Sequence, residues 1–226
     1  MKIVFLGDSL TASANVNLAD RWAYKVGIAN GYAAADIINA GVPGNTSTQM
    51  LARLQADVLS LAPAVCVLMM TVNDKTNNFT LALHESNVRN IISQLQAANI
   101  KVVIVSPPLY RSGVDSWRVW VEKDQAIAGE LGLTYIDVWR EYTFAYLYQT
   151  IAVFNGLYSD GIIHQTVTGN ALISSVLARN TYTGAFLLTP PVIGGCSELN
   201  LALADLQKNG ATAVRLDRVK AALPLA

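Results

Sequence analysis

The sequence predicts a three-layer α/β/α sandwich on a parallel sheet, and three observations point to it. Short β-favouring runs recur five times, at Ile3 to Leu6, Asp36 to Ala40, Ala64 to Met70, Lys101 to Val105 and Leu133 to Ile136. Longer stretches with apolar residues at helical spacing separate them. Each run stops abruptly at glycine or polar residues. Strands that alternate with helices in this way imply parallel pairing through right-handed crossovers.

The first run halts at Gly7-Asp8-Ser9, residues of turns and helix caps. A serine is thereby delivered to the carboxyl end of a buried strand, outside which open parallel sheets bind their ligands. The other account of Ser9 is that it only caps the next helix. A polar stretch leads to a helix from about Leu18 to Asn30, with Trp22, Val26 and Ala29 on one stripe and Gly31 as its stop. After the second strand, the loop Gly41 to Ser47 holds two glycines and Pro43, so its backbone amides can face a ligand. It runs into a helix from about Thr48 to Ser60, capped by Asn45, Thr46 or Ser47.

Pro63 ends that helix, and Ala64 to Met70 is the most continuous apolar run, as a central parallel strand requires. It closes on Thr71-Val72-Asn73-Asp74. Leu81, Val88, Ile91, Ile92 and Leu95 define a helix to Ala98, and the fourth strand is closed by Ser106-Pro107-Pro108. Val114 to Glu130 forms the next helix, carrying Trp117 and Trp120. Trp139 to Tyr158 is aromatic without a clear period, and a helix from about Thr168 to Arg179 follows Ser159 to His164. Beyond Phe186 the pattern changes: a proline- and glycine-rich segment precedes two short helical patterns broken at Asn209-Gly210. The expected division is a domain over residues 1–186 and an extension over 187–226. Leu216, Val219 and Leu223 of that extension can pack on the domain or on another subunit, giving a homo-oligomer.

At 226 residues and 52% hydrophobic, the chain suits one large domain. Sixteen acidic residues balance sixteen basic ones without blocks of either sign, which removes support for nucleic-acid or anionic-membrane binding. Charged residues are only 14%, against roughly 25% in an average domain, so either the core is large or an oligomer covers surface. No run approaches the roughly 20 apolar residues of a membrane span, and the N-terminal run is too short for a signal peptide. The chain is read as soluble and, as it stands, cytoplasmic, with a secreted mature form or a virion component as the alternatives. Cys66 and Cys196 lack zinc-site spacing, and neither a metal nor another cofactor is expected.

The loops at the strand ends bring Ser9, Gly44, Asn73, and Asp160 with His164. A serine hydroxyl needs a base to become a nucleophile, and the chain has two histidines. His84, near a helix start, reads as an ordinary surface or packed histidine. His164, with a carboxylate four residues earlier, is the better base, and Asp160 its orienting acid. Gly44 can offer a bare backbone amide and Asn73 a side-chain amide to a developing oxyanion, with the Ser9 amide as a third donor. Individually Gly44 reads as a turn, Asn73 as a loop cap and Asp160 as a helix-flanking acid; together with Ser9 and His164 they meet the needs of acyl transfer. A histidine base works once it has lost its proton, so such activity rises across the imidazole range, about pH 5 to 8.

With these residues in view, the sequence resembles the GDSL-type or SGNH hydrolases from Lys2 to about Leu177. Gly7-Asp8-Ser9-Leu10 is similar to the first block of that family, implying Ser9 as nucleophile. Gly41 to Thr46 resembles the second, implying Gly44 as oxyanion glycine, and Asn73-Asp74 the end of the third, implying Asn73 as oxyanion asparagine with Asp74 structural. His164 followed by Gly169-Asn170 is similar to the last block. Two positions depart from the pattern. Thr71 stands where the third block usually has glycine, and Asp160 precedes His164 by four residues rather than three, so Ile162 or Ile163 must bulge for the carboxylate to reach the imidazole. A backbone carbonyl is the other candidate to orient His164. The resemblance also implies a flavodoxin-like five-stranded sheet.

The motifs leave the substrate open, since the family covers lipases, thioesterases, arylesterases and carbohydrate deacetylases. The reading carried forward is a short-chain acyl ester, O-acetyl above all, of a carbohydrate, because Tyr110, Trp117, Trp120 and Tyr158 near strand ends can stack on a sugar face. Core packing is the other account of each. The rivals are a lysophospholipase, thioesterase or general esterase, and, outside enzymes, an inactive glycan-binding or assembly module motivated by the Asp160 spacing and the extension. A nucleotide-binding role has neither phosphate-loop lysine nor dinucleotide glycine spacing behind it.

Overall fold

The computed structural model describes residues 1–109, 114–148, 155–179, 181–182 and 185–186. Tyr110, Cys196 and the whole 187–226 extension therefore lie outside the described residues. The expected strands form one parallel five-stranded sheet in the order β2-β1-β3-β4-β5. These are β1 (Ile3–Gly7), β2 (Ile37–Gly41), β3 (Val65–Met69), β4 (Lys101–Val105) and β5 (Thr134–Ile136). β1 lies between β2 and β3, with Ile3 in register with both Ile37 and Val65, and every residue of β1 and β3 is buried. Burial on both faces is why these two runs are apolar without alternation.

Successive side chains of a strand face opposite layers. Ile3 and Phe5 point to one core, with Trp22 and Val26 of α2 (Trp22–Ala29), Tyr142 of α7 (Val138–Tyr148) and Ile173 and Leu177 of α8 (Val167–Arg179). Val4 and Leu6 point to the other, with Met50 and Leu54 of α3 (Ser47–Asp57), Ile91 and Leu95 of α5 (Leu81–Ala97) and Ile127 of α6 (Val114–Glu130). The first core is braced by polar contacts as well. Trp22 Nε1 donates to Leu10 O at 2.8 Å, and its ring meets Phe5 edge-on at 5.3 Å. Asn170 Oδ1 of α8 accepts from Trp22 N at 3.0 Å, which supplies the N-terminal cap that Arg21 lacks.

Local geometry refines several expectations. The helix expected from Leu18 splits into a 3-10 turn, Leu18–Asp20, and α2, and the helix after the glycine loop ends at Asp57 with a 3-10 turn, Leu59–Leu61, behind it. Thr46 is the cap of α3: its Oγ1 accepts from Gln49 N, and Gln49 Oε1 accepts from Thr46 N. The aromatic segment contains α7, two short helices flank the strand ends at α1 (Ser9–Ala12) and α4 (Val72–Thr76), and β6 (Thr181–Tyr182) pairs antiparallel with β7 (Ala185–Phe186). Helices of four or five residues and strands of two carry too little periodicity to be read from sequence.

α1 lies directly against the strand ends. A Cβ on Gly7 would sit 2.1 Å from Thr11 Oγ1 and 2.7 Å from Met69 O, and one on Gly41 would sit 2.2 Å from Ala12 N. The backbone partners cannot move cheaply. Gly7→Ala should therefore destabilise the fold by about 1–3 kcal/mol, as overpacking does, with a loss of any Ser9-dependent activity. Urea unfolding checks this, and unchanged stability would mean that the strand end yields without cost.

Candidate active site

Ser9 occupies the first position of α1, just past the end of β1. Asp8 is the cap, and its Oδ1 accepts from Leu10 N at 2.9 Å. The Ser9 hydroxyl lies 2.9 Å from His164 Nε2, and His164 Nδ1 lies 2.6 Å from Asp160 Oδ2. An ionised carboxylate only accepts, so Nδ1 donates to Asp160 and the lone pair of Nε2 faces the Ser9 hydroxyl. The structure thus brings Ser9, His164 and Asp160 into one hydrogen-bonded chain from opposite ends of the sequence.

The four-residue spacing is absorbed by a turn that Asp160 itself builds. Its Oδ1 accepts from the backbone N–H groups of Ile162, Ile163 and His164 at 2.8, 2.9 and 3.1 Å. Gly161 turns the chain at φ +72°, Ile162 is 45% exposed and Ile163 only 7%. Ile162 is the residue that bulges outward. One carboxylate oxygen shapes the loop while the other holds the imidazole. Burial alone would raise the Asp160 pKa; the N–H groups of Ile163 and Ile162 and the imidazole outweigh it and bring it down to about 2. Asn15 Nδ2 ties this loop to the segment after α1 by donating to Gln165 O at 2.7 Å and Ser159 Oγ at 3.1 Å.

Gly44 stands at φ +78° with open space where a side chain would be. Its N–H and that of Ser9 donate to no group among the described residues. Asn73, in the first turn of α4, is differently placed. Its Nδ2 donates to Asp8 Oδ2 at 3.1 Å and to Asn45 O at 3.0 Å, so both N–H groups of the side chain have partners, and any further acceptor would have to displace one. Asp8 is the neighbour best able to release it, because burial pushes that carboxyl up to about 7, against the N–H of Leu10 and the charge of His164, which lower it.

Two further groups brace the loops without any motif to announce them. Arg53 of α3 donates from Nη2 to Gly7 O at 2.9 Å and from Nε to Asn45 Oδ1 at 2.8 Å, joining the end of β1 to the glycine loop. His84 is not a surface residue. It is wholly buried between Asp74 and Asp124, with its ring edge-on to Trp120 at 5.3 Å. The aromatic residues also require correction. Trp117, Trp120 and Tyr158 are buried, with Lys75 Nζ 4.0 Å above the Trp117 ring and Tyr158 Oη donating to Leu109 O. Rings enclosed in this way present no face to a sugar, and packing is their role; Tyr110 is outside the described residues. Among the described residues no His, Cys, Asp and Glu side chains group as a metal site, and no helix is long and apolar enough to cross a membrane.

Residues 5–172 match the GDSL-like lipase/acylhydrolase family. The chain belongs to that family. It is 28% identical over 111 residues to thioesterase 1/protease 1/lysophospholipase L1 of Escherichia coli (strain K12), a match over 46% of this chain and 49% of that protein. The chain thus matches about half the length of that curated relative. Among solved structures, the lipase/acylhydrolase from Enterococcus faecalis is 25% identical with a TM-score of 0.63, over 79% of this chain and 93% of that one. The acetyl xylan esterase AlAXEase is 22% identical with a TM-score of 0.69, over 80% of this chain and all of that one, 100%. The GDSL-like fold is accordingly shared well beyond the level of sequence identity.

The two oxygens of Asp160 can be separated by substitution. Asp160→Asn keeps an acceptor for the three N–H groups, so its thermal stability should stay close to that of the wild type. Asp160→Ala removes the acceptor and should cost on the order of 1 kcal/mol. Differential scanning calorimetry of both variants checks this, and equal losses would contradict the division of labour.

Proposed function

We propose that this GDSL-family chain is a serine ester hydrolase in which Ser9, His164 and Asp160 form the catalytic triad. The reading rests on one observation above all, the chain from Ser9 Oγ to His164 Nε2 to Asp160 Oδ2 at 2.9 and 2.6 Å. Ser9 Oγ attacks the ester carbonyl while Nε2 takes its proton. Asp160 stabilises the imidazolium that results. The N–H groups of Ser9 and Gly44 receive the oxyanion, with Asn73 joining by exchanging Asp8 or Asn45 for it. His164 then returns the proton to the departing alcohol, which leaves Ser9 acylated. Water, losing a proton to His164, attacks the acyl carbonyl; the bond to Ser9 Oγ then breaks as His164 returns that proton to it, and the acid leaves.

The substrate we propose is a short-chain acyl ester of a carbohydrate. Two features support it. His164 and Asp160 side chains are 41% and 36% exposed, which leaves room for a bulky alcohol. A protein of the same fold is an acetyl xylan esterase, so the fold accommodates that class of substrate. A thioesterase or lysophospholipase is the second reading, favoured by the Escherichia coli relative. An inactive binding module loses its main motive, because the turn at Asp160 accommodates the altered spacing.

Hydrolysis of p-nitrophenyl acetate and p-nitrophenyl octanoate tests both levels. Ser9→Ala should lower kcat by at least about 1,000-fold, as loss of a triad serine does, and the wild type should favour acetate. Preference for octanoate would select the lipid or thioester reading. A wild-type rate equal to that of Ser9→Ala would overturn the serine mechanism.

A further inference from the structure

We infer that His84, outside the Ser9 site, is a positioning residue for the oxyanion donors: by bridging Asp74 and Asp124 through both ring nitrogens it fixes the two loops that carry Asn73 and Gly44. Its consequence for catalysis rests on the esterase reading; its consequence for Asn73 does not.

His84 Nδ1 lies 2.7 Å from Asp74 Oδ2 and Nε2 lies 2.9 Å from Asp124 Oδ1. The remaining carboxylate oxygens also have donors: Ser47 N–H on Asp74 Oδ1 at 2.6 Å, and Thr71 Oγ1 on Asp124 Oδ2 at 2.6 Å. With those oxygens engaged elsewhere, each ring nitrogen faces one carboxylate oxygen; ionised carboxylates only accept, so both nitrogens donate, which only an imidazolium does. One positive charge thus sits between two negative ones, and all three side chains are at most 2% exposed. Removing the cation would leave two buried carboxylates facing each other, a costly arrangement.

The bridge acts on the residues flanking Asn73. Thr71, two positions before it, is held at φ +119° and ψ −52°, a conformation that costs a β-branched residue on the order of 1–3 kcal/mol and persists only where the surroundings impose it. Its hydroxyl is tied to Asp124, and Asp124 to His84. Asp74, immediately after Asn73, is tied to His84 directly. Both sides of Asn73 therefore depend on one imidazole. The same Asp74 accepts the first N–H of α3, three residues after Gly44, and Asn87, one turn beyond His84, donates to Ser47 Oγ and Thr48 Oγ1 at 2.9 Å each. α5 grips both donor loops along one face.

The charge is lost only in alkaline solution. Burial works against it, but the hydrogen bonds and charges of Asp124 and Asp74 prevail and raise the pKa to about 9 from 6.5. The groups facing the ring are Asp74 from α4 and Asp124 and the Trp120 ring from α6; the neutral Ser47 at the start of α3 and Thr71 touch the two carboxylates rather than the ring. Glu85, Arg89, Lys123 and Glu130 pair with one another at the surface of α5 and α6. Because the folded pKa is raised, the stabilisation is complete below about pH 6.5 and is lost as pH rises through about 9.

The test follows the side-chain 13C resonances of His84 and Asn73 by NMR from pH 6 to 10.5, chosen within the range that stays folded by melting, in the wild type and in Asp124→Asn. The latter keeps the shape and removes one of the two charges. kcat and KM for p-nitrophenyl acetate are measured alongside. Asn73 should move with the midpoint of His84, kcat should fall at least fivefold through that midpoint with KM within twofold, and Asp124→Asn should lower the midpoint by about one pH unit or more. Asn73 resonances indifferent to the His84 titration would overturn the inference, as would an unchanged midpoint in a folded Asp124→Asn. Should that variant fail to fold, co-titration in the wild type decides alone. Absence of any Ser9-dependent turnover would refute the esterase reading, while the NMR readout would still decide the role of His84.

Discussion

The approach of α1 to the ends of β1 and β2 is the constraint on which the candidate site depends. With hydrogen in place of a side chain, Gly7 at the end of β1 fits between Met69 O and the Thr11 side chain, and Gly41 at the end of β2 lies against the backbone of Asp8 and Ala12. That contact sets the backbone at Ser9, from which the hydroxyl reaches His164 Nε2. The same approach buries Asp8 and puts its carboxylate beside Asn73, so the position of the hydroxyl and the occupancy of the amide donor have a single origin.

Charge in this domain is sparse and concentrated where loops must hold a shape. Asp160 is held low by N–H groups it has organised around itself, Asp8 is driven up by burial, and His84 is driven up by two carboxylates. Each departs from its ordinary pKa for a different physical reason. Two of the scarce carboxylates, Asp74 and Asp124, lie inside the fold on a histidine and on backbone or hydroxyl donors. Surface pairs such as Arg89 with Glu85 contribute little by comparison.

Much of this was legible in the sequence because it is local. The five strands, most of the helices and the residues Ser9, Gly44, Asn73 and His164 are marked by runs, glycines and caps within a few positions of one another, and the parallel sheet follows from their alternation. The turn at Asp160 was legible only as a requirement that something bulge; that Ile162 does so, with Asp160 as its own scaffold, follows from hydrogen bonds a spacing rule does not contain. Sugar stacking and core packing stood side by side for Trp117, Trp120 and Tyr158, because an aromatic residue near a strand end looks the same in sequence whether it faces solvent or core, and burial favours packing. The bracing roles of Arg53 and His84 gave no signal, since each depends on a partner, Gly7 and Asp124, that lies 46 and 40 positions away on another element. The extension over 187–226 stays a proposal drawn from composition.

The most direct measurement is the mass of the protein quenched in acid during turnover of p-nitrophenyl acetate, followed by peptide mapping. The account predicts one added acetyl group, located on the peptide that contains Ser9 and absent from Ser9→Ala. An acetyl group on another residue, or hydrolysis through Ser9→Ala at the wild-type rate, would contradict it.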